Sequence, residues 1–192
     1  MLGKSFMVWK LCLISGYMSS IDVSKSKIPE YLDDEDYLAI LSIGKSRISH
    51  TKIQKISYII SNMTDFEGTF TAYNYGNFSE SIMEKIQSPL NRNIYAVNND
   101  AYSLTTKGIY VYDEIVKGLN PDNRSTIIAL IAVLRALSAE KLEVVTYHMF
   151  PEMATKSFVR SDIELIISKL KSNSRIKANR LGNTVTLIME QK

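Results

Sequence analysis

Ile94-Tyr95-Ala96-Val97-Asn98-Asn99-Asp100-Ala101-Tyr102-Ser103-Leu104-Thr105 is the stretch that decides the fold. Ile94 to Val97 and Tyr102 to Thr105 are short strand-like runs. The Asn, Asn, Asp and Ala between them are residues expected at a hairpin tip. Working back, Ser79 opens a helix whose buried side is Ile82, Met83 and Ile86, and Pro89 marks its end. Before it, the Asp65–Gly68 loop leads into an aromatic stretch, Phe70, Tyr73, Tyr75 and Phe78, of extended or turn character, with Gly76 as a turn glycine. Ser49 caps a helix running to about Met63, in which Ile53, Ile56, Ile60 and Met63 form a buried stripe. Gln54, Lys55, Tyr58 and Ser61 are then expected to face outward. Asp33, Asp34, Glu35 and Asp36 precede a short helix, Tyr37 to Ile43, where carboxylates suit the unpaired amides of an N-terminus, and Gly44 closes it. Three helices followed by a hairpin is the winged helix-turn-helix order, within an α+β class that is mainly helical.

Three segments also look familiar. Ile53-Gln54-Lys55-Ile56-Ser57-Tyr58, then Tyr73-Asn74-Tyr75-Gly76-Asn77-Phe78-Ser79, then Tyr102-Ser103-Leu104-Thr105-Thr106-Lys107-Gly108 resemble the successive signatures of the SocA/Panacea-like and YwgA-like families, over about Tyr37 to Leu119. Asn77 stands where that pattern usually has a proline. The resemblance implies a winged-helix fold and toxin-antitoxin or phage-related contexts, and it implies a fold more firmly than a job.

The second half repeats the order of elements without repeating the sequence. Asp122 caps a helix from Ser125 to Leu137 whose run Ile127 to Leu134 is apolar on every side, which predicts central burial or a dimer contact through Ile127, Leu130, Ile131 and Leu134. Ala139 to Phe150 continues as helix and Pro151 breaks it. Ser161-Asp162-Ile163-Glu164 reads as a capping box opening a helix that fades near Asn173. Alternation from Ile176 and from Val185, around Gly182-Asn183, predicts a final hairpin. The expected organisation is an extension or linker at 1–31, a winged-helix domain at 32–119, and a second winged-helix-like unit in tandem at 120–192.

Composition bounds the function. With 45% hydrophobic and 22% charged residues among 192, the chain is an ordinary globular protein, and its net charge of +3 makes distribution matter more than total. Cys12 is the sole cysteine, so no intrachain disulfide or thiolate zinc cluster can form, and a reducing, cytoplasmic setting is expected. His50 and His148 lie far apart with no metal-ligand spacing. No phosphate loop and no Ser/His/Asp or Cys/His arrangement is recognisable, so no enzyme, catalytic residue, metal or cofactor is expected. The apolar run Phe6 to Met18 is interrupted by Lys10 and is too short to span a bilayer; it reads as an element docking on the core or an upstream extension, with no membrane partner.

The leading expectation is a regulatory protein binding double-stranded DNA, as a homodimer. The third helix would present Glu80 and Glu84, which repel a polyanion, so the first module is a poor reader, with only Lys45, Arg47, Lys52 and Lys55 as a basic concentration. Lys169, Lys171, Arg175, Lys177 and Arg180 give the later segment the better phosphate footprint. The alternative is a protein-interaction or antitoxin-like module docking a partner protein over Glu80 and Glu84, with no direct DNA binding. The aromatic stretch is read as packing the junction between helices rather than stacking bases.

Overall fold

The computed structural model describes residues 12–13, 32–74, 76–88, 91, 93–181 and 184–191, with side chains from 32 to 168 apart from residue 167. In chain order the elements are β1 (Cys12–Leu13), α1 (Asp34–Ile43), β2 (Ile48–Ser49), α2 (His50–Met63), β3 (Thr71–Tyr73), β4 (Gly76–Phe78), α3 (Glu80–Gln87), β5 (Tyr95–Asn98), β6 (Ala101–Leu104), α4 (Thr106–Gly118), α5 (Pro121–Ala136), α6 (Ala139–Met149), a 3-10 turn (Pro151–Ala154), α7 (Arg160–Asn173), β7 (Ser174–Leu181) and β8 (Thr184–Gln191). The chain is α+β, mainly helical, with small antiparallel sheets. It divides into a larger unit, Ser20–Arg160, and a smaller one formed by Met1–Ser19 with Ser161–Lys192.

In the larger unit, α1 begins on a reciprocal cap. Asp33 accepts from the Asp36 amide at 3.0 Å and Asp36 accepts from the Asp33 amide at 3.2 Å, two otherwise orphaned donors satisfied together. Gly44, at φ 55°, closes the helix as its sequence predicts. Strand β2 pairs with β6 through Ile48↔Tyr102 and Ser49↔Ala101, and β6 pairs with β5, so the sheet order is β2-β6-β5. Asn99 and Asp100 both have positive φ, 47° and 57°, which is the two-residue turn that matches the twist of a hairpin. Helix α3 starts at Ser79, whose hydroxyl accepts from the Ile82 amide, and buries Ile82, Met83 and Ile86 as expected. The aromatic stretch forms the β3–β4 hairpin, Tyr73 pairing with Gly76.

Helix α2 departs from its reading. Every residue from Ile53 to Ile60 is buried, including Gln54 at 3% exposure, Lys55 at 1% and Tyr58 at 5%, all expected to face water. A stripe analysis assumes one covered face; here α1, α5, α6 and β4 all pack on α2. The same packing moves the expected boundary at 119. Ile127, Ile131, Leu134 and Leu142 belong to one cluster with Ile53 and Ile56, and Leu130 packs against it. These α5 residues are therefore core of their own chain rather than a homodimer face. The helix is not wrapped by protein on every side either, since Ala129, Ala132 and Val133 are exposed.

Arg135 explains why α5 belongs here. Its guanidinium donates to the Ser42, Ile43 and Ser46 carbonyls and to Ser46 Oγ, closing the C-terminus of α1, where unpaired carbonyls and the negative dipole end attract a cation. The cap of α5 itself is Asn120, one residue before Pro121, in place of Asp122.

In the smaller unit the expected hairpin is present, β7 with β8 from Ser174↔Gln191 to Leu181↔Thr184, but β1 extends it, Cys12 pairing with Thr186 and Leu13 with Val185. Residues 12–13, within the Phe6–Met18 run read as a docking element or an extension, thus form a strand of this sheet. Because α5 and α6 close on α2, the three helices and hairpin expected at 120–192 do not form a separate tandem unit. Helix α7 begins at Arg160, so Ser161 and Glu164 lie inside its first turns and not at the cap. Among the described residues no helix is long and apolar enough to cross a membrane.

Two substitutions test this packing. Arg135→Ala is expected to destabilise by about 2–3 kcal/mol, since charge-assisted bonds to several helix-end carbonyls are lost. Ile127→Ala is expected to cost about 2–4 kcal/mol while leaving the mass in solution unchanged. Urea unfolding and light scattering read both; a change of oligomeric state in the second would return α5 to an interface.

Candidate functional site

The basic residues of the α1–α2 region all make contacts within the fold, Lys45 and Arg47 from exposed positions. Lys45 pairs with Asp113 at 2.6 Å and lies 5.7 Å over the Tyr112 ring, and Arg47 donates to the Asn98 carbonyl at 2.7 Å. Lys52 donates to the Arg135 carbonyl at 2.5 Å, which holds its ammonium on α5. Lys55 is enclosed. Neither Lys52 nor Lys55 is therefore placed to meet phosphates, a correction to the polyanion reading of this region.

Helix α3 keeps Glu80, Glu84 and Gln87 exposed, whereas its cation Lys85 turns back to Asp33 at 2.6 Å and Asp36 at 3.4 Å. Lys169 and Lys171 fall on α7 and Arg175, Lys177 and Arg180 on β7, in register with Glu190, Ile188 and Val185 for the last three. Their side chains lie outside the described residues. By sequence, the +3 total separates into fifteen basic against seventeen acidic residues in Ser20–Arg160 and eight against three in the remainder.

One hollow, about 1110 Å³, is an open groove edged by Asp33, Asp34, Glu35, Asp65 and Glu67. Its acids serve the fold. Asp34 accepts from the Glu67 amide at 2.9 Å and Glu35 from the Thr69 amide at 3.3 Å, so they hold the loop that follows α2. The chemistry is concentrated instead in a cleft of about 90 Å³ lined by His50, Thr51, Gln54, Lys55, Tyr73, Gly76, Asn77 and Phe78.

This cleft is built from α2 and the β3–β4 hairpin. Gln54 ties the two together: its Nε2 donates to the Ser79 carbonyl at 3.0 Å, its Oε1 accepts from the Ser79 amide at 2.7 Å, and its own carbonyl accepts from Asn77 Nδ2 at 2.7 Å. Lys55 Nζ lies 5.6 Å from the centre of the Tyr147 ring, a cation over an aromatic face. Gly76, at φ 90°, is required on two counts, because a Cβ there would stand 2.6 Å from both Lys55 Nζ and Tyr147 Cε1. The Tyr147 hydroxyl bonds Ser157 Oγ at 2.5 Å, and the Asn74 carbonyl accepts from the Phe158 amide at 2.8 Å, so the chain after α6 braces the hairpin.

Burial sets the electrostatics. It carries the Lys55 ammonium down from about 10.5 to about 8, opposed in part by Glu143 on α6. Burial likewise raises the Glu143 carboxyl, which Lys55 draws back down. His50 is lowered by burial and then by the Lys55 charge. An amine in this state is a hydrogen-bond donor that gives up its proton near pH 8, well below an exposed lysine, beside an imidazole disfavoured as a cation. Lys55 and Gly76 both sit in segments that the sequence marks out, but the stripe pattern of α2 turns Lys55 toward solvent. Glu143 and Tyr147 arrive from some ninety residues away, with no local signal to mark them. Among the described residues no group of His, Cys, Asp and Glu is arranged to hold a metal ion.

Comparison with family models, with curated proteins and with solved structures finds no match for this chain.

The Lys55 environment predicts a pH signature. Unfolded, the amine holds its proton up to about 10.5, and folded only to about 8, so unfolding takes up a proton between these values and stability rises with pH across that window. Relative to Lys55→Met, the wild-type chain is expected to gain about 3 kcal/mol between the bottom and the top of the window. Urea unfolding of both proteins at the two ends measures it; a constant difference would place Lys55 in water.

Proposed function

We propose that the larger unit is a winged-helix module that docks a protein partner through the surface formed by α3 and the β5–β6 hairpin. The order α1, β2, α2, α3, β5, β6, with β2 laid on β6, supports the fold. The resemblance of its segments to the SocA/Panacea-like and YwgA-like signatures points the same way. The observation that carries the partner class is the charge of this face. In a DNA-bound winged helix, α3 would enter the major groove, where affinity comes from cations displacing counterions. Here the outward residues are Glu80, Glu84 and Gln87, the hairpin tip carries exposed Asp100, and Lys85 is neutralised within the fold. Val97, 55% exposed, adds an apolar contact to an acidic rim. A basic protein surface with an apolar anchor is the complementary partner.

A second reading is favoured by the charge of the smaller unit's segments: duplex DNA held by Lys169, Lys171, Arg175, Lys177 and Arg180, since eight basic residues face only three acidic ones in that part of the sequence.

One pair of variants separates the two. A partner recovered on the full chain, then purified and titrated back, is expected to bind the Glu80→Lys/Glu84→Lys protein about tenfold or more weakly, and Lys177→Ala/Arg180→Ala unchanged. Unchanged binding by the first variant overturns docking on α3. Duplex affinity that falls with salt, and loses slope in the second variant, establishes the DNA reading instead.

A further inference from the structure

We propose that the open edge of β5 takes an extended, basic strand of the protein partner, added to the β2-β6-β5 sheet beside Val97; the inference rests on the docking reading above. The register decides which main-chain groups are open. The Thr105 amide donates to the Ile94 carbonyl at 2.9 Å, so Ile94 and Thr105 face each other as a bonded pair. Bonded and non-bonded pairs alternate along an antiparallel ladder, and the register runs unbroken from Tyr95↔Leu104 to Asn98↔Ala101. Ala96 and Asn98 therefore bond to β6, whereas Tyr95 and Val97 turn their amides and carbonyls away from it. β5 lies at the margin of the sheet, β6 being closed on its other side by β2. Tyr95 is 2% exposed and enclosed; Val97 is 55% exposed, and no hydrogen bond reaches its amide or carbonyl among the described residues.

A free amide and carbonyl side by side on one residue are what an opposing strand answers with its own carbonyl and amide. Sheet edges are ordinarily blunted by a lysine, a proline or a bulge. Tyr95-Ala96-Val97-Asn98 has none of these and carries a β-branched apolar side chain at the open position. The side chains fix the character of the occupant. Val97 lies across from Tyr102, to whose hydroxyl Gln87 Nε2 donates at 3.2 Å, so α3 stands on the Val97 face of the sheet. The partner residue opposite Val97 points to that face and meets Val97, which calls for an apolar side chain. Residues two places to either side return to the same face, along a rim that carries exposed Glu80, Glu84 and Asp100. Lysine or arginine suits those positions. Arg47 does not offset the acids at this edge, because it bonds the Asn98 carbonyl, which points toward β6. A second copy of the chain is disfavoured as occupant, since two β5 edges related by a two-fold would set the same carboxylates against each other. With one open residue, the main chain supplies register and direction, and charge supplies attraction.

The amide-labelled full-length chain is titrated by NMR with the capped peptide Lys-Thr-Val-Thr-Lys, with the same peptide N-methylated at its valine, and with capped Glu-Thr-Val-Thr-Glu. Saturable shifts are expected with the first, and hydrogen exchange at the Val97 amide is expected to slow about tenfold or more at saturation. The Ala96 and Asn98 amides, bonded to β6, are expected to be slow already in the free chain. N-methylation is expected to weaken binding about tenfold, since that nitrogen no longer donates to the Val97 carbonyl, and the glutamate peptide is expected to bind as weakly. Val97→Lys, at an exposed position and with its fold checked by melting temperature, is expected to lose the lysine peptide. No saturable binding, equal binding by the N-methylated peptide, or unchanged exchange at Val97 would overturn the proposal. So would a dimer in light scattering whose Val97 amide is slow without peptide, which would give the edge to a second copy. The two readings fail separately. A partner weakened by Glu80→Lys/Glu84→Lys and not by Val97→Lys leaves docking on α3 and removes strand addition, and one weakened by Val97→Lys alone does the reverse.

Discussion

Complete enclosure of α2 between Ile53 and Ile60 is the constraint on which the larger unit depends. A helix covered from all sides can keep polar side chains only where each finds a partner in the interior. Ser57 does so against Ser42 Oγ at 2.9 Å and the Leu38 carbonyl at 3.3 Å, which registers α2 on α1. Gln54 does so by saturating both backbone groups of Ser79. Since Ser79 is also the N-cap of α3, the amide of one buried glutamine fixes where α3 begins and hence which residues it turns to solvent. The outward set of Glu80, Glu84 and Gln87 therefore follows from an interior contact. Lys55 is the third polar residue, and its ammonium lies over the Tyr147 ring at the edge of the cleft.

The acidic start of α1 has a comparable double effect. Asp33 and Asp36 cap each other's amides, and the same two carboxylates draw Lys85 off the outer face of α3. Burial raises Asp36 while the Asp33 amide and Lys85 work against it, so the pair needs the lysine to remain ionised. Neutralising the cap in this way removes the one cation α3 possesses. The local requirement of a helix terminus thus decides the sign of a surface two helices away.

Much of this was legible in the residues, and what was not has a physical reason. Capping by Asp33, closure at Gly44, the stripe of Ile82, Met83 and Ile86, and the hairpin turn at Asn99-Asp100 are set within a few positions of each other in the chain, so local chemistry suffices. The burial of Lys55 and Tyr58, the inclusion of α5 and α6 in the core, and the role of Arg135 depend on partners roughly ninety residues distant, about which local periodicity is silent. The apolar run of α5 shows the same limit. Ile127, Ile131 and Leu134 do face a core, but the pattern could not say that the core was their own. Charge misled for a related reason: a lysine counts as a surface cation until something covers it, as the Tyr147 ring and the Glu143 carboxylate of α6 do for Lys55.

That covering also has a cost. A lysine whose proton is held only to about 8 lowers the stability of the folded chain at neutral pH, and an apolar side chain of similar length would fill the same volume without that cost. The cation over Tyr147 and the attraction of Glu143 return part of it, but Glu143 is itself raised by burial, so each charge makes the other tolerable rather than favourable. Gly76 adds a left-handed backbone and an absent side chain to the same spot, and Asn77 and His50 add unpartnered atoms. These departures from what a stable interior prefers gather around a single 90 Å³ cleft and are interlocked, since a side chain at Gly76 would meet Lys55 and Tyr147 while Asn77 is tied to the Gln54 carbonyl.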